Sequence, residues 1–138
     1  MNFIDKTLEK RDSISADDFL QSMADIYKEP HVKEKLTVYP QFVRDIIHII
    51  EYDTELQMEG LSGFFTDSTK NYYQETYTAL INCGAVKDAE ILREAEKIDP
   101  YGEEEIYDEY EKLEEKTYLR NDWDSFWDLV RKYIEKNI

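Results

Sequence analysis

Residues 40–58, PQFVRDIIHIIEYDTELQM, form the most apolar stretch of the 138-residue chain. At helical spacing, its apolar side chains cover most of the circumference of a helix; they are Phe42, Val43, Ile46, Ile47, Ile49, Ile50 and Leu56. The isoleucines would also suit a β-strand, but the length of the stretch and its polar positions favour a helix. Those polar positions are Arg44, Asp45, His48 and Glu51. We therefore predict a central helix that has Pro40 in its first turn and is buried on more than one side.

The rest of the chain shows the same helical spacing, and only three prolines and four glycines interrupt it. We predict an all-α, single-domain bundle of about six helices, in which residues 1–39 are an N-terminal helical segment and residues 40–138 are the core. The predicted helices begin after Ser15, at Pro40, at Asp67 or Ser68, near Ala85, at Glu103, and near Asp122 or Asp124. The last of them is predicted to bury Trp123, Phe126, Trp127, Val130 and Ile134.

A glycine-containing corner is predicted to follow the central helix. Residues 55–68, ELQMEGLSGFFTDS, contain two of the four glycines and two adjacent phenylalanines. A glycine in the left-handed conformation can end a helix, which suits Gly60, and Gly63 permits a second bend. The phenylalanines are predicted to fix the corner to the core, and the polar residues after them to cap the next helix. The residues of this structural corner are Gly60, Gly63, Phe64, Phe65 and Asp67, with Ser68 as the alternative cap.

The formal net charge of −15 limits the classes of partner. A chain this acidic repels nucleic acid and anionic membranes, so we expect no direct binding to either and a basic protein surface as the partner. The single cysteine, Cys83, excludes an internal disulfide and suits a reducing compartment. The N-terminus lacks the apolar run of a signal peptide, and no stretch approaches the roughly 18 apolar residues of a membrane span. We expect a soluble, cytoplasmic protein.

The acidic residues concentrate between positions 88 and 115, where thirteen acids face only Arg93, Lys97 and Lys112. On a helix, Ile106, Tyr110, Leu113 and Thr117 form a stripe toward the core, and acids form a second stripe. The predicted acidic face consists of Glu94, Glu104, Asp108, Glu111 and Glu115. Carboxylates one helical turn apart lie about 5.4 Å from one another along the helix axis, which matches the length scale of DNA phosphates. Such a row could bind the Lys and Arg side chains of a DNA-binding protein. The alternative is a solvated face that only keeps the chain in solution.

Catalytic, metal-binding and cofactor-binding motifs are not found in the sequence, and we predict none of these sites. The spacing of an EF-hand loop is absent, and His31 and His48 stand too far apart in the chain to indicate a zinc site. Cys83 is interpreted as a small buried residue rather than a nucleophile. No Gly-x-Ser-x-Gly motif and no phosphate-binding glycine loop is present.

Residues 55–85 resemble a bacterial family of helical proteins whose best-known member is a DNA mimic. The matching positions are Glu55, Leu56, Gly60, Phe64, Phe65, Asp67, Ser68, Tyr73, Glu75, Thr76, Ala79, Leu80, Gly84 and Ala85, followed by Trp123-Asp-Ser-Phe-Trp and Tyr133-Ile134. The chain departs from the family pattern in its polar loop, where Gln57-Met58 replaces two asparagines, Glu59 a glycine and Gly63 a glutamine. The resemblance implies an all-helical fold, allows for a homodimer, and implies mimicry of DNA toward a DNA-binding protein.

Three functions remain open at this point. The first is a non-enzymatic acidic protein-interaction module that binds a basic protein surface, for example that of a transcription regulator, with DNA mimicry as its most specific form. The second is an immunity or antitoxin protein that neutralises a cationic nuclease toxin. The third is a cryptic hydrolase or metal-dependent enzyme, which would need polar groups that converge in a pocket.

Overall fold

The computed structural model describes residues 1–102 and 106–138, and over these residues the chain is all-helical, as predicted. Eight α-helices are present there: α1 Phe3–Leu8, α2 Ala16–Met23, α3 Gln41–Met58, α4 Gly60–Thr66, α5 Tyr73–Asn82, α6 Val86–Glu96, α7 Ile106–Glu114 and α8 Trp123–Asn137. Three 3₁₀ helices span Ala24–Tyr27, Pro30–Val38 and Ser68–Tyr72. The prediction of about six helices is too low, because no separate helix was predicted at the short helices α1 and α4.

Helix α3 is the centre of the fold and is a helix, not a strand. It packs against α4 and α5 and also contacts α2 and α8. Ile46, Ile47 and Ile49 are fully buried, because the helix has neighbours on several sides. Each such side chain stabilises the fold by about 1.5–3 kcal/mol relative to an exposed one. Pro40 lies at the N-cap position of α3, one residue before the predicted place.

The polar positions of α3 are not a solvated face. Asp45 is fully buried and His48 is only 5% exposed. The Asp45 carboxylate accepts hydrogen bonds from Gln41 Nε2 (2.8 Å), Asn82 Nδ2 (2.9 Å) and the Tyr133 hydroxyl (2.5 Å). A buried carboxylate is tolerated only with such partners, so Asp45 joins α3 to α5 and α8.

The corner after α3 is itself a helix. Gly60 has a positive φ of 74°, as predicted for the residue that ends α3, and α4 starts at this glycine. Gly63 lies inside α4 without a positive φ, so the predicted second bend is wrong. A side chain at Gly63 would lie 2.7 Å from Glu55 Oε1, which explains why a residue without Cβ fits there. Phe64 and Phe65 are buried, and their ring centroids lie 5.0 Å apart.

The ends of several other helices follow the predicted signals. The Ser15 hydroxyl accepts a hydrogen bond from the Asp18 N–H at the start of α2. Gly84, with a φ of 86°, follows the end of α5. Asp67 lies at the N-cap position of the third 3₁₀ helix and Asp122 at that of α8, so the predicted starting residues are confirmed, but neither side chain makes a capping hydrogen bond.

Helix α8 buries Phe126, Trp127, Val130 and Ile134 as predicted. Trp123 is 42% exposed, so its predicted burial is wrong. As the first residue of α8, Trp123 lies at the edge of an aromatic cluster, with its ring centroid 5.6 Å from that of Tyr118 and 6.0 Å from that of Trp127.

Among the described helices, none combines the length and the apolar character needed to cross a membrane.

Candidate functional site

Helix α7 orients the acidic residues. Ile106, Tyr110 and Thr117 are buried and Leu113 is half-buried, so the predicted inward stripe is confirmed. This apolar stripe packs α7 against α4 and α6. The remaining positions of the helix, except Glu114, therefore face solvent.

Four residues of the predicted acidic face are exposed. Asp108 and Glu111 lie on α7, Glu115 follows the end of α7, and Glu94 lies on the neighbouring helix α6. Glu104, the fifth, lies outside the described residues. We use "acidic face" below for the four exposed residues only.

Three carboxylates of the acidic face have no basic partner within the described ranges. Lys97 Nζ lies 3.2 Å from Glu94 Oε1, in an exposed ion pair of the kind that contributes little stability. No Lys or Arg nitrogen of the described residues lies within 4.0 Å of Asp108, Glu111 or Glu115. Their negative charge is therefore available to an external cation.

An exposed tyrosine lies among these acids. Tyr107 is 66% exposed on α7, next to Asp108 in the chain, while Tyr110 is buried. Tyrosine is enriched at protein interfaces because its rigid ring covers a large area at a low entropic cost. The α7 surface thus presents an aromatic side chain in addition to charge.

Glu114 is an acidic residue of α7 that is not on the acidic face. Its Oε1 accepts a hydrogen bond of 2.6 Å from the backbone N–H of Leu61 in α4. Glycine suits position 60 because its φ is positive and because a Cβ there would lie too close to Glu114 Oε1, so this carboxylate would have to move. This bond anchors the end of α7 to the corner. Sequence analysis missed it, although Glu114 lies next to Leu113 of the inward stripe.

The corner also brings three carboxylates together. Oxygen atoms of Glu55, Glu59 and Asp67 lie within 4.8 Å of one another. Burial, and to a smaller extent hydrogen bonding to Asp67, raises the pKa of Glu55 to about 7. Hydrogen bonds from Glu55 and Glu59 lower the pKa of Asp67. The cluster offers one ligand oxygen from each of the three residues, whereas Ca²⁺ takes six to eight oxygen ligands, so the cluster alone does not form a calcium site. No sequence spacing signalled this cluster, because the turn at Gly60 creates it.

Neither Cys83 nor His48 has the ionisation that a catalytic nucleophile or base needs at neutral pH. Cys83 is buried, as predicted, and burial raises the pKa of its thiol, which disfavours the reactive thiolate. Burial and the charges of Lys33 and Arg44 lower the pKa of His48 to about 4, so its imidazole is neutral at pH 7.

Comparison with known proteins gives one match. The family model of the DMP19-like proteins matches residues 38–137, which is more than two thirds of the chain. No curated protein and no solved structure is significantly similar to the chain. The matched region runs from the end of the second 3₁₀ helix to the end of α8 and includes both the corner and α7. The chain belongs to the DMP19-like protein family.

Proposed function

We propose that this protein is a non-enzymatic interaction module whose acidic face binds the basic surface of a DNA-binding protein and so takes the place of DNA. Membership of the DMP19-like family supports the proposal, because that family takes its name from a DNA mimic. The net charge of −15 supports it as well, because such a chain attracts cationic surfaces over a Debye length of about 8 Å.

The observation that carries the proposal is the row of Asp108, Glu111 and Glu115. These carboxylates are exposed and have no basic partner within the described residues. Consecutive carboxylates of this row are three or four positions apart in the chain. On a helix they are therefore about one turn apart, or about 5.4 Å along the axis. DNA-binding proteins position themselves mainly by Lys and Arg contacts to phosphates, and those side chains can pair with carboxylates instead.

Competition with DNA tests the proposal. The full chain is immobilised and used to capture proteins from a lysate of the organism that encodes it, with and without excess double-stranded oligonucleotide. If the acidic face replaces DNA, the captured protein is a DNA-binding protein and the oligonucleotide displaces it. Capture that the oligonucleotide leaves unchanged contradicts DNA mimicry.

The same capture separates the proposal from its rival, an immunity protein that neutralises a cationic nuclease toxin. Both use the same electrostatics, so they differ only in the partner. Identification of the captured protein by mass spectrometry as a transcription regulator supports the proposal. Identification as a nuclease toxin supports the rival.

A further inference from the structure

A cavity of about 360 Å³ opens between α3, α5 and the second 3₁₀ helix. Its walls include Lys33, Arg44, His48 and Tyr72. A cavity of this size can hold a small organic molecule. Two of these four side chains are permanent cations, in a chain whose net charge is −15. The cavity is therefore chemically unlike the acidic face.

Arg44 lines this cavity and carries a hydrogen-bond donor without a partner among the described residues. This donor is its Nε, which is buried. An unsatisfied donor on a buried charged group is unfavourable. The guanidinium of Arg44 lines the cavity, and its fork best fits the two oxygens of a carboxylate or phosphate.

Of the two cations of the cavity wall, Lys33 is paired with Glu51, and Arg44 has no carboxylate partner within 4.0 Å among the described residues. Lys33 Nζ lies 2.5 Å from Glu51 Oε2 and 4.3 Å from the centroid of the Tyr72 ring. The His48 ring lies 5.4 Å from the same tyrosine ring. Burial, and after it the charges of Lys33 and Arg44, lower the pKa of His48. The remaining charged residue of the wall, Glu75, is exposed.

We propose that this cavity binds a small organic molecule through a carboxylate or phosphate group, with Arg44 as its principal hydrogen-bond donor. Tyr72 and Leu36 line the same cavity and offer apolar surface to the rest of the molecule. An anion beside His48 also raises the pKa of the imidazole, because a nearby negative charge favours the protonated form. The proposal does not depend on the proposed function, since none of the acidic-face residues lines the cavity.

Titration of the full chain with matched probes tests the charge requirement. Benzoate and phenyl phosphate carry the two candidate groups, and benzamide is a neutral analogue of benzoate. We expect saturable NMR shifts of the Arg44 Nε–H and His48 ring signals with at least one anion and none with benzamide. The anion that binds more tightly shows whether the cavity prefers a carboxylate or a phosphate group. No saturable shift with either anion, or equal binding of benzamide, overturns the proposal.

Variants test the role of Arg44 itself. Arg44→Gln should weaken binding of the preferred anion at least about tenfold, because the charge-assisted fork is lost. Arg44→Lys keeps the charge without the fork and should give an intermediate loss. Arg120→Gln, which removes an exposed arginine from another part of the chain, should bind as the parent protein does. Unchanged affinity in folded Arg44→Gln contradicts the assignment.

Discussion

Asp45 shows how one buried charge can connect three helices. Its carboxylate is fully buried and accepts hydrogen bonds from side chains of α3, α5 and α8. The sequence places Asp45 at a helix position that the pattern assigns to a polar face. The sequence pattern does not reveal that Asp45 is buried, because its partners Asn82 and Tyr133 come from distant parts of the chain.

Asp45→Ala should lower the free energy of unfolding by about 3 kcal/mol, because it removes three hydrogen bonds to a charged acceptor, and this loss is limited because the donors themselves are only partly buried. Urea unfolding measures the loss. Asp12→Ala serves as the control, since Asp12 is exposed and a surface substitution of this kind changes stability by about 0.5 kcal/mol or less. Similar effects of the two substitutions would contradict the structural role of Asp45.

The carboxylate cluster at the corner predicts a dependence of stability on pH. The pKa of Glu55 is raised from 4.5 to about 7, so the folded protein binds more protons than the unfolded chain between these values. The contribution of Glu55 therefore favours folding below pH 4.5 and is lost as the pH rises through 7.

Glu55→Gln should be about as stable as the parent protein at pH 4 and more stable at pH 8. The expected gain is about 1 kcal/mol, because solvent screens a partly exposed carboxylate. Urea unfolding at the two pH values measures it, with the exposed Glu34→Gln as the control. A gain of equal size at both pH values would show that the ionisation of Glu55 is not its source.

Most helices could be predicted from the sequence, because periodicity and caps are local signals. Helix α3 follows from its apolar run, and the start of α2 follows from Ser15. Helix α4 could not be predicted, because its two glycines resemble those of a loop and its seven residues are held by distant contacts. Those contacts are the bond from Leu61 to Glu114 and the stacking of Phe65 on Tyr110, whose ring centroids lie 6.3 Å apart.

Glu114→Gln should lower the free energy of unfolding by about 1 kcal/mol, because glutamine keeps an acceptor oxygen for Leu61 but loses the charge that strengthens the hydrogen bond. Thermal or urea unfolding measures the effect. Glu111→Gln makes the same chemical change three residues earlier on α7, where the side chain is exposed, and should be nearly neutral. A neutral Glu114→Gln would show that the charge of Glu114 does not strengthen its hydrogen bond to Leu61.

The charge of the whole molecule is unevenly distributed along the chain. Residues 51–138 contain 23 acids and 10 bases, and they include α7 and its exposed carboxylates. The sequence predicted which side of α7 faces the core, because that depends only on helical spacing. It did not predict that Glu114 turns inward or that Glu55, Glu59 and Asp67 meet, because both depend on the turn at Gly60.

The proposed complex should weaken steeply with salt, since exposed charges are screened over about 8 Å at physiological ionic strength. We expect the Kd for the captured partner to rise by at least about tenfold between 50 and 300 mM salt, as it does for proteins that bind DNA phosphates. Isothermal titration calorimetry at several salt concentrations measures this. A Kd independent of salt would rule out a charge-driven interface.

The most direct test of the acidic face compares two charge-matched triple variants for binding to the captured partner. Asp108→Lys/Glu111→Lys/Glu115→Lys reverses the row on and beyond α7, and Glu9→Lys/Asp12→Lys/Glu34→Lys makes the same change in net charge at exposed positions of the N-terminal segment. We expect the first variant to lose the partner and the second to retain most of its affinity. Equal affinities of the two folded variants would contradict the placement of the binding site on the acidic face.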